Sequence, residues 1–269
     1  MCQITGGGNG LGREIGLQMA KEGCNIAVAD VNITAAEKTA ADIRKLGVQA
    51  KAYKVDVTKS DEITQLRELL KTDLGPVDIL INNAGLMSNL NMEEKPENIE
   101  MMVKVNILGL MLMTKCFLEQ MKENQSGHIV SIASMSGLHP TPFSIPYTST
   151  KFGIHGFMSA LTEHLRLENW RSKIKTTCVF PYYIKTRKDV TEFLSADIRF
   201  PALEPDETAR EVVNGILRED FNVTIPNAQK SLMKVMNIWP LRVQEIIRDR
   251  VLRESSFVSK DCKLNFDFK

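Results

Sequence analysis

The chain holds only five cysteines in 269 residues, Cys2, Cys24, Cys116, Cys178 and Cys262, an odd and scattered set with no CxxC pair. That spacing argues against a disulfide framework and against a zinc site, and it favours reduced thiols facing a cytosolic compartment. An excess of one charge is also missing: 34 Lys and Arg face 33 Asp and Glu, for a formal net charge of +1. Without a basic block there is no electrostatic footprint for nucleic acid, so no nucleic-acid partner is expected. Long apolar runs are scarce. The longest, Val105 to Thr114, has 10 residues and stops at Lys115, too short on this reading to span a bilayer. The first residues lack the basic-then-apolar pattern of a secretory signal. No repeat or low-complexity segment is visible. What remains is ordinary globular composition, 43% hydrophobic and 25% charged, which argues against disorder.

Strand-like and helix-like stretches alternate along the chain. Short apolar runs at residues 26–30, 50–57, 77–82, 127–133, 173–180 and 221–225 read as strands. Between them, helical spacing covers 34–46, 60–70, 96–121, 149–167 and 206–217, with Gly47 stopping the first and Ser60 a cap for the second. This order predicts an α/β fold: a doubly wound parallel sheet of Rossmann type, three layers in one domain over 1–269. Residues 182–203 lack periodicity and carry Tyr182, Tyr183, Phe193, Phe200 and Pro201, which reads as a substrate loop. Its aromatics suit an apolar pocket or, equally, core packing. Residues 227–269 form a C-terminal extension, with a helical-looking piece at 231–251 that has apolar and basic sides.

Thr5-Gly-Gly-Gly-Asn-Gly-Leu-Gly12 leaves the first strand and enters a helix beginning near Arg13. Glycines permit positive φ and let backbone approach a pyrophosphate, and the helix N-terminus supplies unpaired N–H groups for that anion. Asp30 stands at the end of the next strand, 18 residues after Gly12. An acid there accepts hydrogen bonds from ribose hydroxyls and repels a 2′-phosphate. Its sequence neighbours Ala29, Val31 and Asn32 are uncharged, so NAD is favoured over NADP as the cofactor.

Tyr147-Thr-Ser-Thr-Lys151 places a phenol and an ammonium four apart, on one face of a helix. A free Tyr with a pKa near ~10 is a poor base at neutral pH. A neighbouring Lys cation, together with the positive nicotinamide, is expected to stabilise the phenolate and lower that pKa, so that Tyr147 can exchange a proton with an alcohol while hydride moves to the cofactor.

Together, Thr5-Gly6 through Gly12, Asp56-Val57, Asn82-Asn-Ala-Gly85, Asn106, Ser134 and Tyr147 with Lys151 resemble the short-chain dehydrogenase/reductase family, in its order and over residues 1 to about 225. The resemblance implies catalytic roles for Ser134, Tyr147, Lys151 and Asn106. Ser134 would bind the substrate oxygen, with Ser131 and Ser136 as rivals. Lys151 would tune Tyr147 and bind ribose, and Asn106 would help hold a water near the lysine. It further implies cofactor contacts from Thr5, Gly6, Asn9, Gly10, Leu11, Gly12, Asp30, Asp56, Val57, Asn83, Ala84, Gly85, Tyr147, Lys151, Pro181 and Thr186. Asp56 would meet the adenine amino group, and Pro181 to Thr186 would flank the nicotinamide. Where the family has glycine after the proline, this chain has Tyr182.

Within the family, the glycine loop through Glu14, Asp30, Tyr182 and the stretch from Ile225-Pro226 to Trp239-Pro240 resemble the branch of epidermal retinol dehydrogenases and lipid-droplet 17-beta-hydroxysteroid dehydrogenases. That implies a lipophilic alcohol or carbonyl as substrate: a retinol, a steroid or a long-chain alcohol. It also implies a homodimer formed by the helices near 100–122 and 149–167. Members of the branch carry a hydrophobic anchor before the first strand, so the resemblance implies a shortened N-terminus here. The expected location is the cytoplasmic side, with the endoplasmic reticulum or a lipid-droplet surface as the site of peripheral contact. The basic and apolar tail suits either a lipid surface or packing on the domain or a partner. Two alternatives stand beside this reading: an NADPH-dependent carbonyl reductase, and a catalytically idle lipid-surface scaffold that keeps the fold.

Overall fold

A computed structural model describes residues 1–87, 92, 95–141, 144–186, 202–227 and 239–247. Seven strands form one parallel sheet: β1 (Cys2–Thr5), β2 (Ile26–Asp30), β3 (Ala50–Lys54), β4 (Ile79–Asn82), β5 (Gly127–Ile132), β6 (Ile174–Pro181) and β7 (Asn222–Ile225), in the order β3-β2-β1-β4-β5-β6-β7. The expected doubly wound fold is present. The chain steps outward from β1 to β3, then returns to place β4 on the other side of β1. The crevice at the carboxyl ends of β1 and β4 is therefore the topological switch point, where such sheets take ligands.

Helices cover both faces, which is why the central strands are apolar throughout rather than alternating. One layer holds α1 (Gly10–Lys21), α2 (Ile33–Arg44) and α7 (Pro205–Leu217), joined to the sheet through Ile15, Met19, Ala40, Val212 and the Ile4–Val28 side of the strands. The other holds α3 (Ser60–Asp73), α5 (Leu110–Glu123) and α6 (Ile145–Leu167), packed through Leu66, Leu70, Phe117, Ile154 and Met158 onto Ala27, Leu80 and Ile129. Gln3 is an exception inside this core. It lies in β1 between Ala27 and Leu80, fully buried, and neither atom of its side-chain amide has a hydrogen-bond partner.

Several boundaries move. The first helix begins at Gly10, with Asn9 as its N-cap, rather than near Arg13. Ser60 is the first residue of α3 and not its cap; Lys59 holds that position with no side-chain bond. The catalytic-motif helix α6 starts at Ile145, four residues earlier than the spacing predicts, with Pro146 in its first turn, a position where a missing N–H is harmless.

The helix expected over 96–121 is α4 (Pro96–Val103), a π-helical segment (Lys104–Gly109) and α5 in unbroken succession. The uninterrupted apolar run understated it: these 28 residues are long and apolar enough to cross a membrane by length and composition. Packing accounts for the apolarity, since Met102, Leu110, Met113, Phe117 and Met121 are buried within the domain. Of the expected tail helix, only α8 (Leu241–Ile247) lies within the described residues. Arg248, Arg250 and Arg253 lie outside them, as do Phe193, Phe200 and Pro201 of the substrate loop and Cys262. The other four cysteines are free, and the described residues contain no cluster of metal-ligating side chains.

Candidate active site

The glycine loop is locked to the loop after β4 by one hydroxyl. Thr5 Oγ1 accepts both Asn83 N–H and Ala84 N–H at 3.0 Å, and Asn83 Nδ2 donates to Thr5 O (3.0 Å) and Gly6 O (3.1 Å). Gly6 has φ of 62°, open to glycine without strain. At Gly12 a Cβ would stand 2.2 Å from Gly6 O, so only glycine lets α1 dock this closely. Leu11 behind it is buried in the core. Gly10 faces Thr186, whose methyl carbon lies 3.4 Å from the position of a Gly10 Cβ. The chain thus brings Thr186 against a loop nearly the whole domain away in sequence.

Asp30 closes the cradle. Its Oδ2 accepts Gly8 N–H and its Oδ1 accepts Asn32 N–H, both at 2.9 Å. The β2–β3 register also sets Lys54 directly opposite Asp30, a cation that the sequence neighbours of Asp30 do not reveal. Asp56 uses one carboxylate oxygen within its own loop. Its Oδ1 is taken by Thr58 N–H (2.9 Å) and Thr58 Oγ1 (2.7 Å), an Asx turn leading into α3. Val57 is buried beneath Gly109, where a Cβ would meet Val57 Cγ2 at 2.7 Å. Its place is in the packing under the π-helical segment.

Ser134, Tyr147 and Lys151 converge. Ser134 follows β5 and caps a 3₁₀ turn (Met135–Gly137), its Oγ accepting Ser136 N–H at 3.2 Å. The Ser134 hydroxyl also stands beside the Tyr147 phenol, where it favours the charged form. The rival serines are engaged elsewhere: Ser131 donates to Met158 Sδ, and Ser136 Oγ accepts from Thr141. Lys151 is buried, donates to Ile132 O at 3.0 Å, and holds Nζ 5.3 Å from the Tyr147 ring centroid. Its Nζ also lies 3.7 Å from where a Gly85 Cβ would be, so the exposed Gly85 backbone and the ammonium share one small space.

Burial dominates the proton affinities here. It pushes the Tyr147 phenol up to about 12, with Ser134 opposing. It pushes the Lys151 ammonium down to about 8, with only a small opposing influence from Cys178. The expected lowering draws on Lys151 together with a positive nicotinamide, and the chain alone carries only the share of Lys151. Desolvation of the phenolate outweighs it, and the ammonium is turned toward Ile132 O.

Asn106 lies in the π-helical segment, whose wider turn swings it inward. Its Oδ1 accepts Leu86 N–H (2.7 Å), and its Nδ2 donates to Leu86 O (2.9 Å) and Thr150 Oγ1 (3.0 Å). The side chain is thus a clamp between the loop after β4 and α6. Thr150 was not singled out by the sequence, although it sits one turn after Tyr147 and donates to Tyr147 O at 2.8 Å.

After Pro181, Tyr182 takes the glycine's place without breaking the chain's course: its N–H donates to Ile225 O at 2.7 Å, extending the β6–β7 pairing by one residue. The described residues on either side of 187–201 meet, as Leu203 N–H donates to Tyr183 O and Lys185 N–H to Leu203 O.

Comparison with known proteins agrees with this geometry. The family model described as short chain dehydrogenase matches residues 1–195. Human 17-beta-hydroxysteroid dehydrogenase 13 is 36% identical over 245 residues, spanning 91% of this chain and 80% of that protein. Mouse estradiol 17-beta-dehydrogenase 11 is 35% identical over 252 residues, spanning 92% and 82%. Among solved structures, a short-chain dehydrogenase/reductase from Burkholderia phymatum in complex with NAD superposes with a TM-score of 0.78 at 21% identity, covering 88% of this chain and 92% of that one. An alcohol dehydrogenase from the archaeon Thermococcus sibiricus complexed with 5-hydroxy-NADP gives 0.69 at 24% identity, covering 83% and 93%. These structural likenesses show the fold.

Proposed function

The chain belongs to the short-chain dehydrogenase/reductase family, in the branch of the 17-beta-hydroxysteroid dehydrogenases, and from that premise we propose that it interconverts a lipophilic alcohol and its carbonyl with NAD. The observation that carries the proposal is the convergence of Ser134 and Tyr147 beside the buried Lys151, at the carboxyl ends of the central strands. The cradle of Thr5, Gly6, Gly10, Gly12 and Asn83, with Asp30 at its rim, fits a dinucleotide. When bound, that cofactor supplies the hydride acceptor or donor. Ser134 and Tyr147 then hold the substrate oxygen between two hydroxyls, and Tyr147 takes or gives its proton. Lys151 holds positive charge beside the ring and, through Gly85, faces the ribose position. The names of the relatives support a steroid-like substrate, and Tyr182, packed against the core, supports an apolar wall.

Lys54 opposite Asp30 favours a second reading, in which the cofactor is NADPH and the enzyme runs as a carbonyl reductase. Exposed Met101, Leu108 and Met111 on the α4–α5 stretch and Phe152 on α6 support a homodimer through these helices. The deciding experiment is a fluorescence titration with NADH and NADPH, followed by an alcohol screen of the wild type and Tyr147→Phe. Tighter NADH binding and a loss of turnover of about 10²–10⁴-fold in the variant are the expected results. Near-normal turnover in the variant overturns the role of Tyr147. Binding without turnover on any alcohol points to the scaffold.

A further inference from the structure

His155 stands one turn beyond Lys151 on α6 and has no part in the proton or cofactor contacts above. Its Nδ1 lies 3.2 Å from Gly137 O, and its ring meets Phe180 edge-on, with centroids 4.9 Å apart and an interplanar angle of 79°. Gly137 closes the 3₁₀ turn that Ser134 caps, and its N–H donates to Ser134 O at 2.8 Å. The turn presses on α6 at a second point: a Cβ on Gly137 would come within 2.6 Å of Lys151 O. Phe180 is fully buried and directly precedes Pro181 at the end of β6. One half-buried imidazole thus joins three elements: the turn bearing Ser134, the helix bearing Tyr147 and Lys151, and the strand end that leads into the substrate loop.

A carbonyl can only accept, so the contact to Gly137 O requires a proton on Nδ1. The ring is held in plane by Phe180, which leaves Nδ1 aimed at the turn. This bond ties the far end of the turn to α6, apart from the approach of Ser134 to Tyr147 at its near end. Without it the Ser134 hydroxyl would be free to shift relative to the Tyr147 phenol.

We propose that His155 is a positioning residue for Ser134, acting through the hydrogen bond from Nδ1 to Gly137 O. The proposal rests on the dehydrogenase reading above. It is tested with two variants that divide the side chain's functions. His155→Asn keeps a donor near the Nδ1 position and loses the ring; His155→Phe keeps the ring against Phe180 and loses the donor.

Hydrogen exchange of the peptide covering Met135–His139 is measured first, because it needs no substrate. Exchange should be about tenfold faster in His155→Phe and close to wild type in His155→Asn. With a turned-over alcohol, kcat should fall about tenfold in His155→Phe, with NADH affinity within about twofold of wild type and recovery in His155→Asn. Equal exchange in all three proteins overturns the proposal. So does equal impairment of both variants, or a loss of NADH affinity in step with kcat, since these would mark a general packing role. If the wild type itself turns over no alcohol, the dehydrogenase reading fails, while the exchange result still decides whether His155 anchors the turn.

Discussion

The Asn106 side chain pairs with the backbone of Leu86 as one strand pairs with another, giving and receiving one hydrogen bond each at 2.9 and 2.7 Å. Asn106→Ala would leave a part-buried N–H and C=O of Leu86 without these partners and release Thr150. We expect a loss of about 2–4 kcal/mol in urea unfolding, and a fall in kcat larger than the change in NADH affinity. Asn106→Asp, which keeps the acceptor but not the donors, should fall between. An unchanged unfolding midpoint in Asn106→Ala would remove the clamp from this account.

Asp30 carries two duties that substitutions can divide. Asp30→Asn keeps an oxygen for Gly8 N–H but loses the negative charge, whereas Asp30→Ala loses both. NADPH affinity should rise in Asp30→Asn, because Lys54 across the strand pair would no longer face an anion. NADH affinity should fall by about tenfold or more in Asp30→Ala. Fluorescence titration of both nucleotides with both variants reads this directly. An unaltered NADH-to-NADPH ratio in Asp30→Asn would detach Asp30 from cofactor choice.

His128 lies in β5, buried, with Nε2 2.8 Å from Thr177 Oγ1 on β6. Burial pushes its imidazole down to about 4, with Glu219 opposing and Lys175 adding to the shift. Between pH 6.5 and about 4 the unfolded chain binds a proton that the folded chain refuses. Stability from this group is therefore complete above pH 6.5 and declines as the pH falls to about 4, by on the order of 3 kcal/mol. His128→Gln keeps a donor toward Thr177 and cannot titrate. Urea unfolding at pH 7.5 and 4.5 should show a smaller acid loss in the variant than in wild type; equal losses would contradict the assignment.

Gln3 invites the opposite kind of change. Both atoms of its amide are buried without partners between Ala27 and Leu80. Gln3→Met, of similar shape, should raise stability by about 1–3 kcal/mol. A lower midpoint in thermal or urea unfolding would show that the amide has a partner in solution.

Much of the site was legible because its chemistry is local in sequence. The glycine loop, the Tyr147–Lys151 spacing and the run from Ile129 to Ser134 each lie on one element and its boundary, so period and spacing suffice. What escaped depends on elements meeting. Lys54 is set opposite Asp30 only by strand register, and Thr58 takes an Asp56 oxygen through a turn that looks like ordinary polar sequence. The inward swing of Asn106 needs a π-helical segment, which has no spacing signature at this resolution of pattern. The Tyr147 phenol is a related case: proximity to Lys151 is visible in sequence, but the depth of burial that opposes it is not.

The hydroxyl of Thr5 has a broader consequence. It joins the loop that would hold the phosphates to residues 78 and 79 positions further along the chain. No short stretch can assemble that cradle alone; it exists only once the middle of the sheet has closed. Nucleotide affinity and global stability are then thermodynamically linked across the molecule. A saturating nucleotide at 100 times its Kd would raise the unfolding free energy by about 2.7 kcal/mol. Conversely, any lesion that opens the β1–β4 seam would register as weakened binding, however far it lies from the bound molecule.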